Sequence, residues 1–280
     1  MSAHELDHLA IAVPAWGPAG AVLNRELGAR WASGFRMDVF SPCQLAVAQD
    51  MRLELLEPGS GEHSFIQRFL SNNQERPAPH HITFKVHDIR AAIAGARDAG
   101  IEPVLVNLEY SQWQEAFLHP KDTGLGFLAQ MVQTSHSVEE LTGSAVNSRS
   151  CPWEQSDSAP LRLPLIHGTV ASLQQARHVL CNVLGAREIL AEAGPLTAAF
   201  HWDEGAELLL TETPRGGIEG QNLSSRTHGI HGIVAVPADV KWQLSEHWDE
   251  LDGLLAEGTL HPELGLSITS VGRVPAVAGP

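Results

Sequence analysis

The chain is poor in the features that mark several protein classes. Among its 280 residues there are only three cysteines, Cys43, Cys151 and Cys181. They are scattered, odd in number, and form neither a zinc nor a redox spacing, so a disulfide framework is not expected and a reducing cytoplasm is. No apolar run reaches the length of a membrane helix. The start, Met1-Ser2-Ala3-His4-Glu5, lacks the basic and apolar regions of a signal peptide. Basic residues are also scarce, 18 against 33 acidic ones, for a formal charge of −15. Such a surface repels phosphate backbones, so neither nucleic acid nor a membrane is an expected partner. A small anionic ligand stays open, because a pocket can be locally basic. Hydrophobic residues make up 43% of the chain, enough for one large domain or two ordinary ones.

What the chain does have is a recurring strand. In Leu6-Asp7-His8-Leu9-Ala10-Ile11-Ala12-Val13, residues Leu9, Ile11 and Val13 point one way. Leu6, His8, Ala10 and Ala12 point the other. One face can bury branched side chains; the other carries a histidine among small residues. The pattern returns at His80-His81-Ile82-Thr83-Phe84, at Ile166-His167-Gly168-Thr169-Val170 and at His231-Gly232-Ile233-Val234. Four such strands predict an internal repeat.

The flanking signals agree. A helix over 19–27 is stopped by Gly28, strands are expected at 39–48 and 52–56 with a turn near Gln49-Asp50, and a helix at 64–71. The second unit has a helix at 88–99 capped by Asp88, then strands near 103–107, 114–118 and 126–132. The third has a helix at 173–184 and strands at 198–202 and 207–211, up to Pro214. The fourth, from His231, is shorter and ends in a strand at 265–270 before a tail beyond Arg273 expected to be disordered. Leu27-Gly28-Ala29-Arg30 and Leu184-Gly185-Ala186-Arg187 are the same four residues at the same place in their units. The expected architecture is α+β, four βαβββ-like modules paired into two similar domains: 1–135, a linker at 136–160, and 161–275.

Four polar residues fall at matching places in the first pair. His8 and His81 open the first strands of their units; Glu54 and Gln130 lie in the last strands. If the two units curl toward each other these four converge. Two imidazoles, a carboxylate and an amide oxygen suit a divalent ion with open positions: Zn, Ni, Co, Fe(II) or Mn. An ion left partly open can polarise a carbonyl. His80, adjacent to His81, is expected to face the opposite way. His119 is read as a turn residue and Lys121 as solvated. Trp113, Trp202, Trp242 and Trp248 are read as packing or pocket-wall residues.

Several of these stretches also resemble a known family. Leu6-Asp7-His8-Leu9-Ala10, Glu54-Leu55-Leu56-Glu57-Pro58, His80-His81-Ile82-Thr83-Phe84-Lys85-Val86-His87-Asp88-Ile89 and Phe117-Leu118-His119-Pro120-Lys121-Asp122-Thr123-Gly124 are similar to the glyoxalase, or vicinal oxygen chelate, superfamily, and within it to methylmalonyl-CoA epimerases. The resemblance covers roughly residues 5 to 134. It implies that His8, Glu54, His81 and Gln130 are metal ligands. It also implies a small carbonyl or acyl-CoA substrate whose enolate is stabilised by the ion, in a monomer or homodimer. Three positions depart from the epimerase pattern, the first being Glu54, which stands where the epimerases carry a glutamine, a swap seen elsewhere in the superfamily. Gln130 stands where a glutamate ligand is usual, and Gln44 stands nearest the usual carboxylate base, so the group that moves the proton is unassigned. An extradiol dioxygenase or lyase on the same scaffold, or a non-catalytic binding protein, are the alternative readings. In the second pair His167, Leu210, His231 and Thr269 fall at the equivalent places, and Leu210 cannot bind a metal, so this half is expected to be a degenerate copy.

Overall fold

The computed structural model describes residues 3–48, 51–136, 149–189, 196–213 and 228–272. The expected turn at 49–50, the middle of the linker, Pro214 and the tail beyond Arg273 lie outside the described residues.

The first module runs β1 (Ala3–Ala12), α1 (Trp16–Leu27), β2 (Arg30–Gly34), β3 (Phe40–Ala46) and β4 (Arg52–Pro58). After α2 (Phe65–Asn72), the second runs β5 (Ala78–Val86), α3 (Ile89–Asp98), β6 (Val104–Asn107), β7 (Gln114–Leu118), the short α4 (Pro120–Thr123) and β8 (Leu128–Gln133). Their strands form one sheet in the order β2-β3-β4-β1-β5-β8-β7-β6. β1 and β5 pair antiparallel at its centre, each flanked by the parallel last strand of its own module. That places His8, Glu54, His81 and Gln130 on four adjacent strands.

Local chemistry sets the element ends. Gly28 takes φ 63° and returns its N–H to Asn24, closing α1 with a left-handed residue. Ser64 and Asp88 accept backbone N–H groups at the starts of α2 and α3. His119 caps α4 by accepting from Lys121 N, as a turn residue should.

The second half repeats the scheme: β9 (Arg162–Val170), α5 (Leu173–Arg177), β10 (Arg187–Ile189), β11 (Thr197–His201), a two-residue β12 (Glu204–Gly205), β13 (Glu207–Glu212), β14 (Gly229–Val236), α6 (Leu251–Ala256), β15 (Thr259–His261) and β16 (Leu266–Ser270). Its sheet order is β10-β11-β13-β9-β14-β16-β15. The helix expected over 173–184 is α-helical only through Arg177 and then widens into a π-helix, His178–Val183. Strand β12 was not legible in the sequence. It pairs with β1, Glu5 opposite Glu204, and so joins the two sheets.

The helix-bearing faces of both sheets share one apolar core. It contains Leu23 and Ile93 from the first half and Leu180 and Phe200 from the second. Phe84 meets Trp202 across the seam at 4.9 Å between ring centroids. Residues 149–161 lie along the first half: Trp153 packs edge-on to Trp31, Ser156 N donates to Asn24, and Leu161 N donates to Leu27 O. The indole of Trp153 crosses α1 at Gly20, where a Cβ would come within 2.3 Å of the ring.

Two strand irregularities decide which side chains face the site. Leu6 does not share the phase of His8, as alternation predicts, but lies in the main core with Leu9 and Ile11. The register shifts between Leu6 and His8, inserting Asp7 as an extra residue against β5. A second shift, with Ala10 opposite His81 and Ile11 opposite Pro79, inserts His80.

Candidate metal centre

The face of the first sheet away from α1 and α3 carries the polar group. His8, Glu54 and His81 bring one ligand atom each to within 4.8 Å of one another. Glu54 Oε2 is 3.6 Å from His8 Nε2 and 3.6 Å from His81 Nε2. Donors bound tetrahedrally at about 2.1 Å from one ion stand about 3.4 Å apart, so the spacing fits a shared divalent cation.

The outward atom of each of the three is held. His8 Nδ1 donates to Asp7 Oδ2 at 2.6 Å, a contact between neighbours in sequence that the register shift at Asp7 accompanies. Asp7 is in turn anchored by Arg52 and by Lys85 Nζ at 2.7 Å. Burial alone would raise the Asp7 carboxyl; His8, Arg52 and Lys85 outweigh it and hold the acid below the usual range. Burial would lower His8, yet Asp7 and Glu54 outweigh it and raise the imidazole. A carboxylate behind a histidine fixes the ring and makes its far nitrogen a better ligand. Gln44 Nε2 donates to Glu54 Oε1 at 2.6 Å, leaving Oε2 to face the histidines.

His81 differs. Burial first, then His80 and His8, push it well below the ordinary histidine range, so it is a neutral imidazole. Its Nδ1 lies 2.9 Å from His80 Nδ1. One ring donates to the other there, and when the proton sits on His81 Nδ1 the lone pair of Nε2 faces Glu54. The expectation that His80 faces away is therefore corrected: the extra residue in β5 brings its Nδ1 to His81, while its ring packs on Phe69 at 4.7 Å.

Gln130 joins through Thr83, whose hydroxyl donates to Gln130 Oε1 and lies 2.9 Å from His8 Nε2. Its Nε2 donates to Glu115 Oε2 at 2.6 Å. Glu115 was missed from sequence. It lies on β7, two residues from Phe117, which pairs with Gln130, so it shares that face. Burial and then the charge of Glu54 raise its carboxyl, against hydrogen bonds from Trp113 and Gln130. Alternation along Trp113-Gln114-Glu115-Ala116-Phe117 was the available signal.

The ligand atoms are buried, Glu54 being the least covered at 8% residue exposure. Trp113 and Phe117 on one side and Phe40, Phe65 and Phe69 on the other are half-buried and flank the centre with aromatic surface. Gln44 Oε1 is buried without a partner among the described residues. A polar atom left this way in an otherwise satisfied cluster suits a site that takes a donor from a ligand.

Among its described residues the second half holds no such cluster, though for a different reason than its histidines suggest. Leu165 stands as far before Leu184-Gly185-Ala186-Arg187 as His8 stands before Leu27-Gly28-Ala29-Arg30. In the ladders, His8 pairs with Thr83 as Leu165 pairs with Val234, and Ala10 lies between His81 and Glu54 as His167 lies between Gly232 and Leu209. The positions equivalent to His8, Glu54, His81 and Gln130 are therefore Leu165, Leu209, Gly232 and Thr269. His167, Leu210 and His231 are out of register, and Leu210 faces the main core. Leu165 and Leu209 are covered by Trp242, Leu244 and Leu251 in a separate apolar cluster.

A sheet of paired βαβββ modules with polar side chains gathered on the face away from α1 and α3 defines the glyoxalase-like fold. Residues 7–117 match the model of the Glyoxalase/Bleomycin resistance protein/Dioxygenase superfamily. No curated protein matches the chain. Among solved structures, a variant of Streptomyces coelicolor methylmalonyl-CoA epimerase in complex with 2-nitronate-propionyl-CoA is 24% identical over 48% of this chain and 100% of its own, with a TM-score of 0.43. The Mycobacterium tuberculosis methylmalonyl-CoA epimerase is 25% identical over 48% of this chain and 90% of its own, with a TM-score of 0.43. A mutant of 4-hydroxymandelate synthase from Streptomyces coelicolor is 12% identical, covers 84% of this chain and 71% of its own, and has a TM-score of 0.56. That last similarity extends the same fold across both halves. No helix among the described residues is long and apolar enough to cross a membrane.

Proposed function

We infer that the first half binds a divalent metal ion through His8 Nε2, Glu54 Oε2 and His81 Nε2, with Gln130 as a fourth ligand, and that the protein is a metal-dependent enzyme acting on a small carbonyl or acyl-CoA compound. The domains are proposed as 1–135 and 161–275 around a linker at 136–160, with chemistry confined to the first. The observation that carries this reading is the convergence of three ligand atoms whose opposite ends are each tied down, by Asp7, Gln44 and His80. Such an ion, held by these residues, would supply positive charge to the oxygens of a bound carbonyl and would make the neighbouring C–H easier to deprotonate. The chain's residues do the rest. Asp7 and Gln44 orient the ligands, the half-buried aromatics exclude water, and Glu115 is the carboxylate beside the centre that is not itself a proposed ligand.

The test is proton exchange. Metal-loaded protein in deuterium oxide, given a 2-methyl acyl-CoA thioester or a small 2-branched oxo acid, should wash deuterium into the α-carbon, and His81→Ala should abolish it. Binding of the thioester with no exchange under any divalent ion would contradict the enzymatic part and favour a binding protein.

One observation favours a second reading. Two imidazoles and one carboxylate are also the ligand set of non-haem Fe(II) oxygenases. Oxygen uptake with Fe(II) and a catechol or oxo acid, in place of exchange, would select it.

A further inference from the structure

We propose that Glu115 is a positioning residue of this centre: its carboxylate locks the Gln130 amide with the oxygen turned inward, so that a negative charge stands directly behind a neutral ligand. The proposal rests on the reading that the ion is held where His8, Glu54 and His81 meet.

An ionised carboxylate offers only acceptors. The end of Gln130 that lies 2.6 Å from Glu115 Oε2 must therefore be its NH2. The opposite end is then the oxygen, and it is this atom that accepts from Thr83, the hydroxyl in contact with His8 Nε2. Glu115 is itself fixed, because Trp113 Nε1 donates to the same oxygen at 2.9 Å. Trp113 and Gln130 thus both donate to Glu115, and Thr83 donates to Gln130, which fixes the amide's orientation. With a leucine at 115 nothing would oppose a half-turn of the amide, which would aim an NH2 at the ion. The carboxylate does more than choose the rotamer: a short charge-assisted bond to the amide N–H draws electron density onto the carbonyl oxygen and makes it a stronger ligand. The arrangement is an acid–amide pair in which the amide faces inward and the acid stands outside it.

The experiment measures metal affinity, by competition of Co(II) and Zn(II) with a chromophoric chelator, together with the visible spectrum of the Co(II) form. Wild type, Glu115→Leu, Glu115→Gln, Gln130→Glu and the swapped pair Glu115→Gln/Gln130→Glu are compared. Glu115→Leu is expected to weaken binding by about 10- to 100-fold and to shift the Co(II) bands. Glu115→Gln, which keeps an oxygen able to accept the same bond, should lose much less. Gln130→Glu alone sets two carboxylates against each other, so the swapped pair should bind more tightly than Gln130→Glu and at least as tightly as wild type. Wild-type affinity and an unshifted spectrum in Glu115→Leu, or a swapped pair weaker than Gln130→Glu, would overturn the positioning role while leaving the metal centre standing. Absence of metal binding by the wild type, with circular dichroism showing a folded chain, would overturn both.

Discussion

At the residue scale, the centre depends on side chains that touch no substrate. Asp7 is 1% exposed and binds His8, Arg52 and Lys85 together. Asp7→Asn removes the charge that the other three share and leaves cations partly buried without it. Metal-free protein should lose about 3 kcal/mol in urea unfolding. The sign with pH follows from the depressed acid. Its contribution is complete above the ordinary carboxylate range and is lost as pH falls, so the stability curve of Asp7→Asn should be flatter than wild type below about pH 4. His167 shifts stability in the same direction with pH, although there the neutral form is the one the fold favours. Its Nε2 is sealed and unpartnered although the residue is only half-buried, and burial, then His231, pull it down to about 4. The folded chain keeps it neutral while the unfolded chain takes up a proton, so stability should fall from pH 6.5 to 4. His167→Gln should retain about 2–3 kcal/mol more of its own stability over that range than wild type does, measured by denaturant midpoints. His8, Glu54, His81 and Gln130 were legible as one constellation, because strand phase within a module needs no tertiary information. Asp7 and His80 were not, because two inserted residues reset the alternation that would have assigned them; Glu115 was passed over although the alternation of β7 is regular.

At the scale of the element, helices α1, α2 and α3 and the strands from β3 onward in the first half stood close to where periodicity and caps put them. Their failures share a cause. Offsets of one and two residues separate His231 and His167 from the positions they were matched to. Only the ladder pairings, or the Leu-Gly-Ala-Arg spacing taken as the ruler, expose the slip. A period-two pattern cannot distinguish a shift of two residues from no shift at all. The strap at 149–161 was also unreadable as structure, since it is held to α1 by one indole over Gly20 and by two backbone N–H groups donating to Asn24 and Leu27. Gly20→Ala should cost about 1–3 kcal/mol, because the new methyl forces Trp153 aside. In a Trp153→Ala background the same change should cost almost nothing. Equal costs in both backgrounds, by double-mutant cycle from thermal unfolding, would show that the two do not couple.

At the scale of the molecule, the paired modules were legible, but the joining of the halves was not. The main core runs through both, and β12 of the second half extends the sheet of the first. Composition says how much apolar surface exists, not which half buries it against which. A shared core predicts one cooperative calorimetric transition rather than two. It also predicts that Phe84→Ala, at the seam with Trp202, lowers the midpoint of the whole transition instead of splitting it. In the second half Leu165 and Leu209 are packed into an apolar cluster at the positions where the first half carries His8 and Glu54.

The most direct test of the metal centre is anomalous diffraction from crystals grown with Co(II). One strong peak should appear on the first sheet, about 2.0–2.3 Å from His8 Nε2, His81 Nε2 and Glu54 Oε2. A peak elsewhere, or none there while the crystals hold cobalt at other sites, would contradict it.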